Sequence, residues 1–155
     1  MGQFCSLDKV LEILKRERQE KNKIVFTNGC FDLLHVGHIR YLQEAKSLGD
    51  FLVVAINTDA SVRKLKGPER PIQNENDRAE ILAALACVNT TVLFDEDTPE
   101  KIIQQIRPDV LVKGGDWKPD QIVGSSFVQS YGGTVKSLKF ITGKSTTELI
   151  KKSQK

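Results

Sequence analysis

A doubly wound α/β fold, with one parallel sheet covered by helices on both faces, is what this sequence predicts. Three observations carry that expectation. Short apolar runs alternate with stretches of helical periodicity along most of the chain. The clearest run, FLVVAIN at 51–57, is apolar at all but its last position, as a strand covered on both faces requires. The 155 residues, 39% hydrophobic and 28% charged, suit one domain with a sizeable core.

The elements follow in order. An amphipathic helix runs from Leu7 to about Arg18, with Val10, Leu11 and Leu14 as its apolar stripe and Lys and Arg on the wet face. KIVFTNG (23–29) is a β-rich run stopped by Asn28-Gly29. A helix is expected over 37–48, with Ile39, Leu42 and Ala45 on one side, Tyr41 and Leu48 adjoining, and Gly49-Asp50 ending it. The strand at 51–57 comes next. NTDASVRKLKGPERP (57–71) reads as a basic, solvated loop, and the prolines of KGPERPIQNEN (66–76) support that. DRAEILAALACV (77–88) is helical, TTVLF (90–94) a strand, and TPEKIIQQI (98–106) a helix with Pro99 in its first turn. DVLVK (109–113) is a strand meeting Gly114-Gly115, GTVKSLK (133–139) the last strand, and STTELIKK (145–152) the last helix. This alternation is the Rossmann-like arrangement. It gives an N-terminal helix within 1–22 and one α/β domain over 23–155.

Bulk properties exclude several classes. A net charge of +3 is too small to argue for nucleic acid on its own, and it is compatible with small anionic ligands. No apolar stretch approaches a membrane span, and the opening residues lack the apolar core and cleavage site of a secretory signal. MGQFCS matches the loose spacing of a myristoylation site, but nothing else points to a membrane. Cys5, Cys30 and Cys87 are an odd, widely spaced set, which suits reduced thiols and a cytoplasmic location.

Parallel sheets bind ligands beyond the carboxyl ends of their strands. TNGCFD, NTDAS and KGGDW fall there, and so do the only two histidines, His35 and His38 in LLHVGH. One reading is structural, with an imidazole capping the helix. A second is zinc, from Cys30, His35 and His38, but a structural site wants a fourth ligand and none stands at useful spacing. A third is phosphate chemistry. Residues three apart in a first helical turn share a face, and the helix start adds free N–H groups and a positive dipole end. Gly37 has no side chain to hold a phosphate away, and Asn28 and Gly29 allow close backbone approach. Agreement between the fold reading and this chemistry favours phosphate, and no metal site is expected.

The strand followed by TNGCFDLLHVGH resembles the His-x-Gly-His signature of the cytidylyltransferase-like nucleotidyltransferases. The stretch TGKSTTEL (142–149) is not a P-loop, because a Walker motif needs glycine where Leu138 stands. It reads as a cap, with Ser145 at the start of the last helix and Glu148 reaching back. It also resembles the Ser-Thr-Thr element of the same family, whose members carry an arginine just upstream where this chain has Phe140 and Ile141, with Lys144 as a partial substitute. Together with NTDASVRKLKG, RPI and LVKGGDW, the likeness narrows to the adenylyltransferase domains of bacterial ADP-heptose synthases, over about 23–152, in a stand-alone form without the kinase domain.

The resemblance implies an HxGH nucleotidyltransferase fold and a reaction of ATP with D-glycero-β-D-manno-heptose 1-phosphate that gives ADP-heptose and pyrophosphate. The alternatives are a cytidylyltransferase acting on a polyol or amino-alcohol phosphate, or a nucleotide-sensing module without turnover. His35, His38 and Lys66 would be catalytic. Thr27, Asn28, Gly29, Phe31, Gly37, Gly115, Asp116, Ser145, Thr146 and Thr147 would contact nucleotide. Asp32, Arg70, Arg78 and Trp117 would contact the second substrate. Mg2+ would enter with ATP, a separate heptose kinase would supply the sugar phosphate, and a homo-oligomer is expected.

Overall fold

A computed structural model describes the chain from Met1 to Lys155. Its elements are β1 (Gln3–Phe4), α1 (Leu7–Gln19), β2 (Ile24–Gly29), α2 (Val36–Lys46), β3 (Phe51–Asn57), α3 (Asp59–Lys66) and α4 (Glu75–Ala83). β4 (Thr90–Phe94), α5 (Glu100–Ile106), β5 (Val110–Gly114), a 3-10 turn (Pro119–Gln121), α6 (Ser125–Ser130), β6 (Thr134–Leu138) and α7 (Thr146–Ser153) complete it. The six strands form one sheet in the order β1-β4-β3-β2-β5-β6, and every pairing is parallel. The expected Rossmann-like α/β architecture is therefore the one formed.

Strand alternation explains the continuous apolar runs. Ile24, Phe26, Val53 and Ala55 point into one core with Val10, Leu14, Ile103 and Val128. Val25, Leu52, Val54 and Ile56 point into the other with Leu42, Ala45, Ala79 and Leu82. A strand with a core on each face must be apolar at consecutive positions, and all seven residues of β3 are buried. The chain winds outward from β2 through β3 to β4, then returns to β5 on the other side of β2. That reversal opens a crevice beyond the carboxyl ends of β2 and β5.

The structure differs from the expectation in four places. Residues 59–66, read as loop, form helix α3, with Thr58 capping the Ser61 N–H at 3.3 Å and Asp59 in the first turn. Only Ser61 and Val62 of that helix are buried, so its apolar signal is too short to read. β1 is two exposed residues with no alternation, and α6 is a six-residue helix; both form through tertiary contacts. α4 ends at Ala83 rather than near Val88, because the chain turns there to enter β4. The N-terminal residues share the sheet and core, since β1 pairs with β4 and Val10 and Leu14 are fully buried. No helix is long and apolar enough to cross a membrane.

Candidate active site

The crevice is a cavity of about 380 Å³. Its first wall is the β2–α2 turn. Phe31 adopts a left-handed φ of 47°, and its ring lies where a Cβ on Gly29 would sit, 2.9 Å away. The glycine is thus required by the phenyl ring. His35 then caps α2, with its Nδ1 accepting the Gly37 N–H at 3.1 Å, and His38 Nδ1 accepts the His35 N–H at 3.4 Å. The capping and ligand-facing readings of the histidines are therefore compatible. With both Nδ1 atoms acting as acceptors, the neutral rings carry their proton on Nε2. Burial, and then the neighbouring His35, push the pKa of His38 down to about 4. Burial and Lys144 lower that of His35, against a smaller pull from Glu148. Near pH 7 the pair offers two neutral N–H donors. A Cβ at Gly37 would meet the His35 ring at 2.8 Å, so this glycine makes room for the imidazole rather than for a phosphate as expected.

The opposite wall is the start of α7. Ser145 caps it, accepting the Glu148 N–H at 3.1 Å, while the Glu148 carboxylate makes no return bond, so the expected reciprocal box is half formed. Thr146 Oγ1 donates to the Leu33 carbonyl at 2.9 Å and ties α7 to the β2–α2 turn. Its one hydroxyl proton is spent there and is not available to a phosphate. Ser145, Thr147 and the free N–H groups of the helix start line the cleft beside Lys144.

Lys66, at the last position of α3, and Arg70 line the third side. Asp32 is buried and saturated: it accepts from Arg70 Nε at 2.7 Å, Ile72 N at 2.9 Å and Gln73 N at 3.0 Å. Burial alone would raise its pKa, but the Gln73 and Ile72 N–H groups and the Arg70 guanidinium outweigh it and hold the carboxyl below its usual range. Asp32 therefore fixes the 67–73 loop and aims Arg70, instead of being free for a substrate hydroxyl. Arg78 also departs from expectation. Its side chain is fully buried beneath the cleft and donates to the carbonyls of Gln73 (3.0 Å), Cys30 (2.7 Å) and Asn57 (2.8 Å) and to Asp59 (2.8 Å). It does not line the cleft.

Thr27 is likewise interior, bonded to the Tyr41 hydroxyl, and it is Tyr41 that borders the cleft. Gly115 and Asp116 lie outside it. Gly115, with φ of 120°, lets the Trp117 indole fold back so that Nε1 donates to the Gly114 carbonyl at 3.1 Å. Trp117 borders a second, adjoining cavity of about 160 Å³. Tyr41 and Phe140 were missed as cleft residues, whereas Cys30, Lys113 and Gly114 fell in stretches read as lying at the ligand edge but were given no phosphate-binding role. Lys113 had a readable signal, as the last side chain of a strand at the ligand edge. Phe140 did not, because its ring packs where Gly114 lacks a Cβ, a contact between distant parts of the chain.

The charge balance is one-sided. Lys66, Arg70, Lys113 and Lys144 line the cleft with a single carboxylate, Asp32, already paired. Cys30, the one thiol there, is kept as a thiol by burial, which outweighs the nearby cations. A cleft of fixed donors and unpaired positive charge at a switch point suits transfer of a nucleotidyl group between two anions, so the class defined is a nucleotidyltransferase. The chain belongs to the cytidylyltransferase-like family, whose profile matches residues 26–152. It is 56% identical to "Bifunctional protein HldE" of Geotalea uraniireducens (strain Rf4) over 147 residues, 95% of this chain and 30% of that protein. It is 55% identical to the protein of the same name from Syntrophotalea carbinolica over 91% of this chain and 29% of that one. The chain thus spans under a third of the curated relatives it matches. The solved "lipopolysaccharide core biosynthesis protein from Thermoplasma volcanium GSS1" superposes with a TM-score of 0.64 at 35% identity, covering 77% of this chain and 97% of that one.

Proposed function

We propose that the protein joins ATP to D-glycero-β-D-manno-heptose 1-phosphate, giving ADP-heptose and pyrophosphate for lipopolysaccharide core synthesis in the cytoplasm. The observation that carries this reading is the stacked pair of neutral imidazoles facing the start of α7 across a cationic cleft. The names borne by the relatives support the sugar assignment.

A phosphate oxygen of the sugar 1-phosphate attacks the α-phosphorus of ATP. One P–O bond forms as the bond from that phosphorus to the β-bridging oxygen breaks, and pyrophosphate leaves with the electron pair. The attacking phosphate is already anionic, so no general base is needed. His35 and His38 give Nε2–H bonds to α- and β-phosphate oxygens as they gain charge. Lys66 and Lys144 offset that charge, and Ser145, Thr147 and the α7 N–H groups hold the leaving phosphates. Asn28, Gly29 and Phe31 shape the floor, Gly37 leaves space for the His35 ring, and Arg70 and Trp117 serve the second substrate. No group of three His, Cys, Asp or Glu side chains is arranged to hold a cation. Asp32, the only acid in the cleft, is spent on its loop, so the residues do not build a magnesium cage and Mg2+ would enter on the triphosphate itself.

A heptose kinase activity would supply the sugar phosphate, and light scattering tests the homo-oligomer. The decisive assay offers four nucleoside triphosphates against heptose 1-phosphate, glycerol phosphate and ethanolamine phosphate, read by pyrophosphate release. Release with ATP and the heptose is expected. Release only with CTP and another phosphate, or nucleotide binding without release, would discard the assignment.

A further inference from the structure

The imidazole pair and the α7 start together account for one anion, the polyphosphate. The reaction needs a second beside it, and Lys113 is the cation left over. It stands near the end of β5, adjacent in the sheet to β2. With Asn28, it is a residue that borders both the large cleft and the smaller cavity, so it marks the passage between them. Its side chain is half-buried and takes part in no salt bridge and no hydrogen bond within the protein. Burial holds its pKa below the ordinary lysine range, with only the Cys30 thiol pulling the other way. A half-buried ammonium without a counter-ion costs stability until a ligand brings one. Arg78, by contrast, is a buried cation whose every partner belongs to the protein.

The smaller cavity complements this charge. Leu111, Val112, Ile122, Val123 and the Trp117 indole form most of its wall. Such a surface packs against the C–H face of a sugar ring, and an indole is well suited to it. A ligand with an anionic end at Lys113 and a ring beside Trp117 fits both compartments.

We propose that Lys113 grips the phosphate of the sugar 1-phosphate at the boundary of the two cavities, with the sugar ring against Trp117, and so selects the acceptor. This rests on the function proposed above. Trp117 is the only tryptophan of the chain, so its fluorescence reports occupancy of the smaller cavity without turnover. The test compares the wild type with Lys113→Met and Lys113→Arg, using heptose 1-phosphate and ATP as probes. Lys113→Met should raise the KM and the fluorescence Kd for heptose 1-phosphate by roughly 10- to 100-fold, the loss of one charge-assisted bond, and leave the KM for ATP within about twofold. Lys113→Arg should recover part of the loss. Removing an unpaired half-buried charge should leave melting unchanged or raised, which separates this effect from misfolding. A wild type that releases no pyrophosphate from ATP and the heptose defeats the proposed function. An active wild type whose Lys113→Met variant keeps its heptose phosphate affinity, or loses ATP affinity instead, defeats the assignment of Lys113 alone.

Discussion

The imidazole of His35 lies stacked on that of His38, with ring centroids 3.9 Å apart and 26° between the planes, and the Nδ1 of each accepts a main-chain N–H of the same helix start. One set of bonds therefore caps α2, sets the tautomer of both rings and presents two Nε2–H groups. Local folding and the proposed chemistry depend on the same contacts, and suitable substitutions separate them.

Replacing His35 by asparagine keeps a side-chain acceptor for the cap but removes the Nε2–H donor. His35→Asn should melt close to the wild type while pyrophosphate release falls by roughly 10²–10³, the scale of one preorganised donor. His35→Ala should show the same kinetic loss and also lose about 1 kcal/mol of stability. Full turnover in either variant would remove His35 from the proposed mechanism.

The low pKa of His38 makes a pH prediction. The folded value of about 4 lies below the ordinary histidine value of about 6.5, so the unfolded chain binds more protons between them. The contribution of His38 to stability should be intact above about pH 6.5 and lost as the pH falls through about 4. Urea midpoints across that window should fall less in His38→Gln than in the wild type. Nitrogen-15 NMR of the free protein should find His38 uncharged, with its proton on Nε2, at pH 6; an imidazolium at that pH would contradict the structure.

Gly37→Ala tests steric space. Alanine ordinarily favours a helix over glycine by about 1 kcal/mol. Here the new methyl would meet the His35 ring at 2.8 Å and push it aside. The expected result is a folded protein with at least roughly tenfold lower turnover, since misplacing a donor costs alignment. Unchanged kinetics would show that the ring position is not needed.

Arg78→Met tests the support beneath the cleft. It leaves three carbonyls without their donor and Asp59 without its cation, at a cost of about 3–5 kcal/mol. Thermal melting should drop by about 10 °C or more. A shift under about 2 °C would mean that the buried guanidinium is not holding the ends of β2 and β3 together.

Much was legible in the chain because it depends on local pattern. Continuous apolar runs marked β3 and the other buried strands, since a strand with a core on each face has no polar alternative. His35, Gly37 and His38 were readable together because a helix start fixes their mutual placement within four residues. The Ser145 cap was readable for the same reason. Other features were beyond reach because they depend on segments far apart in sequence. Asp32 and Arg78 read as contacts for the second substrate until the 67–73 loop folds onto the carboxylate and four acceptors from three segments surround the guanidinium. Phe140 joins the cleft only when the segment after β6 folds against Gly114 at the end of β5. Short-range geometry is written in residue order, whereas the satisfaction of a buried charge is settled by whichever distant groups the sheet brings within bonding distance.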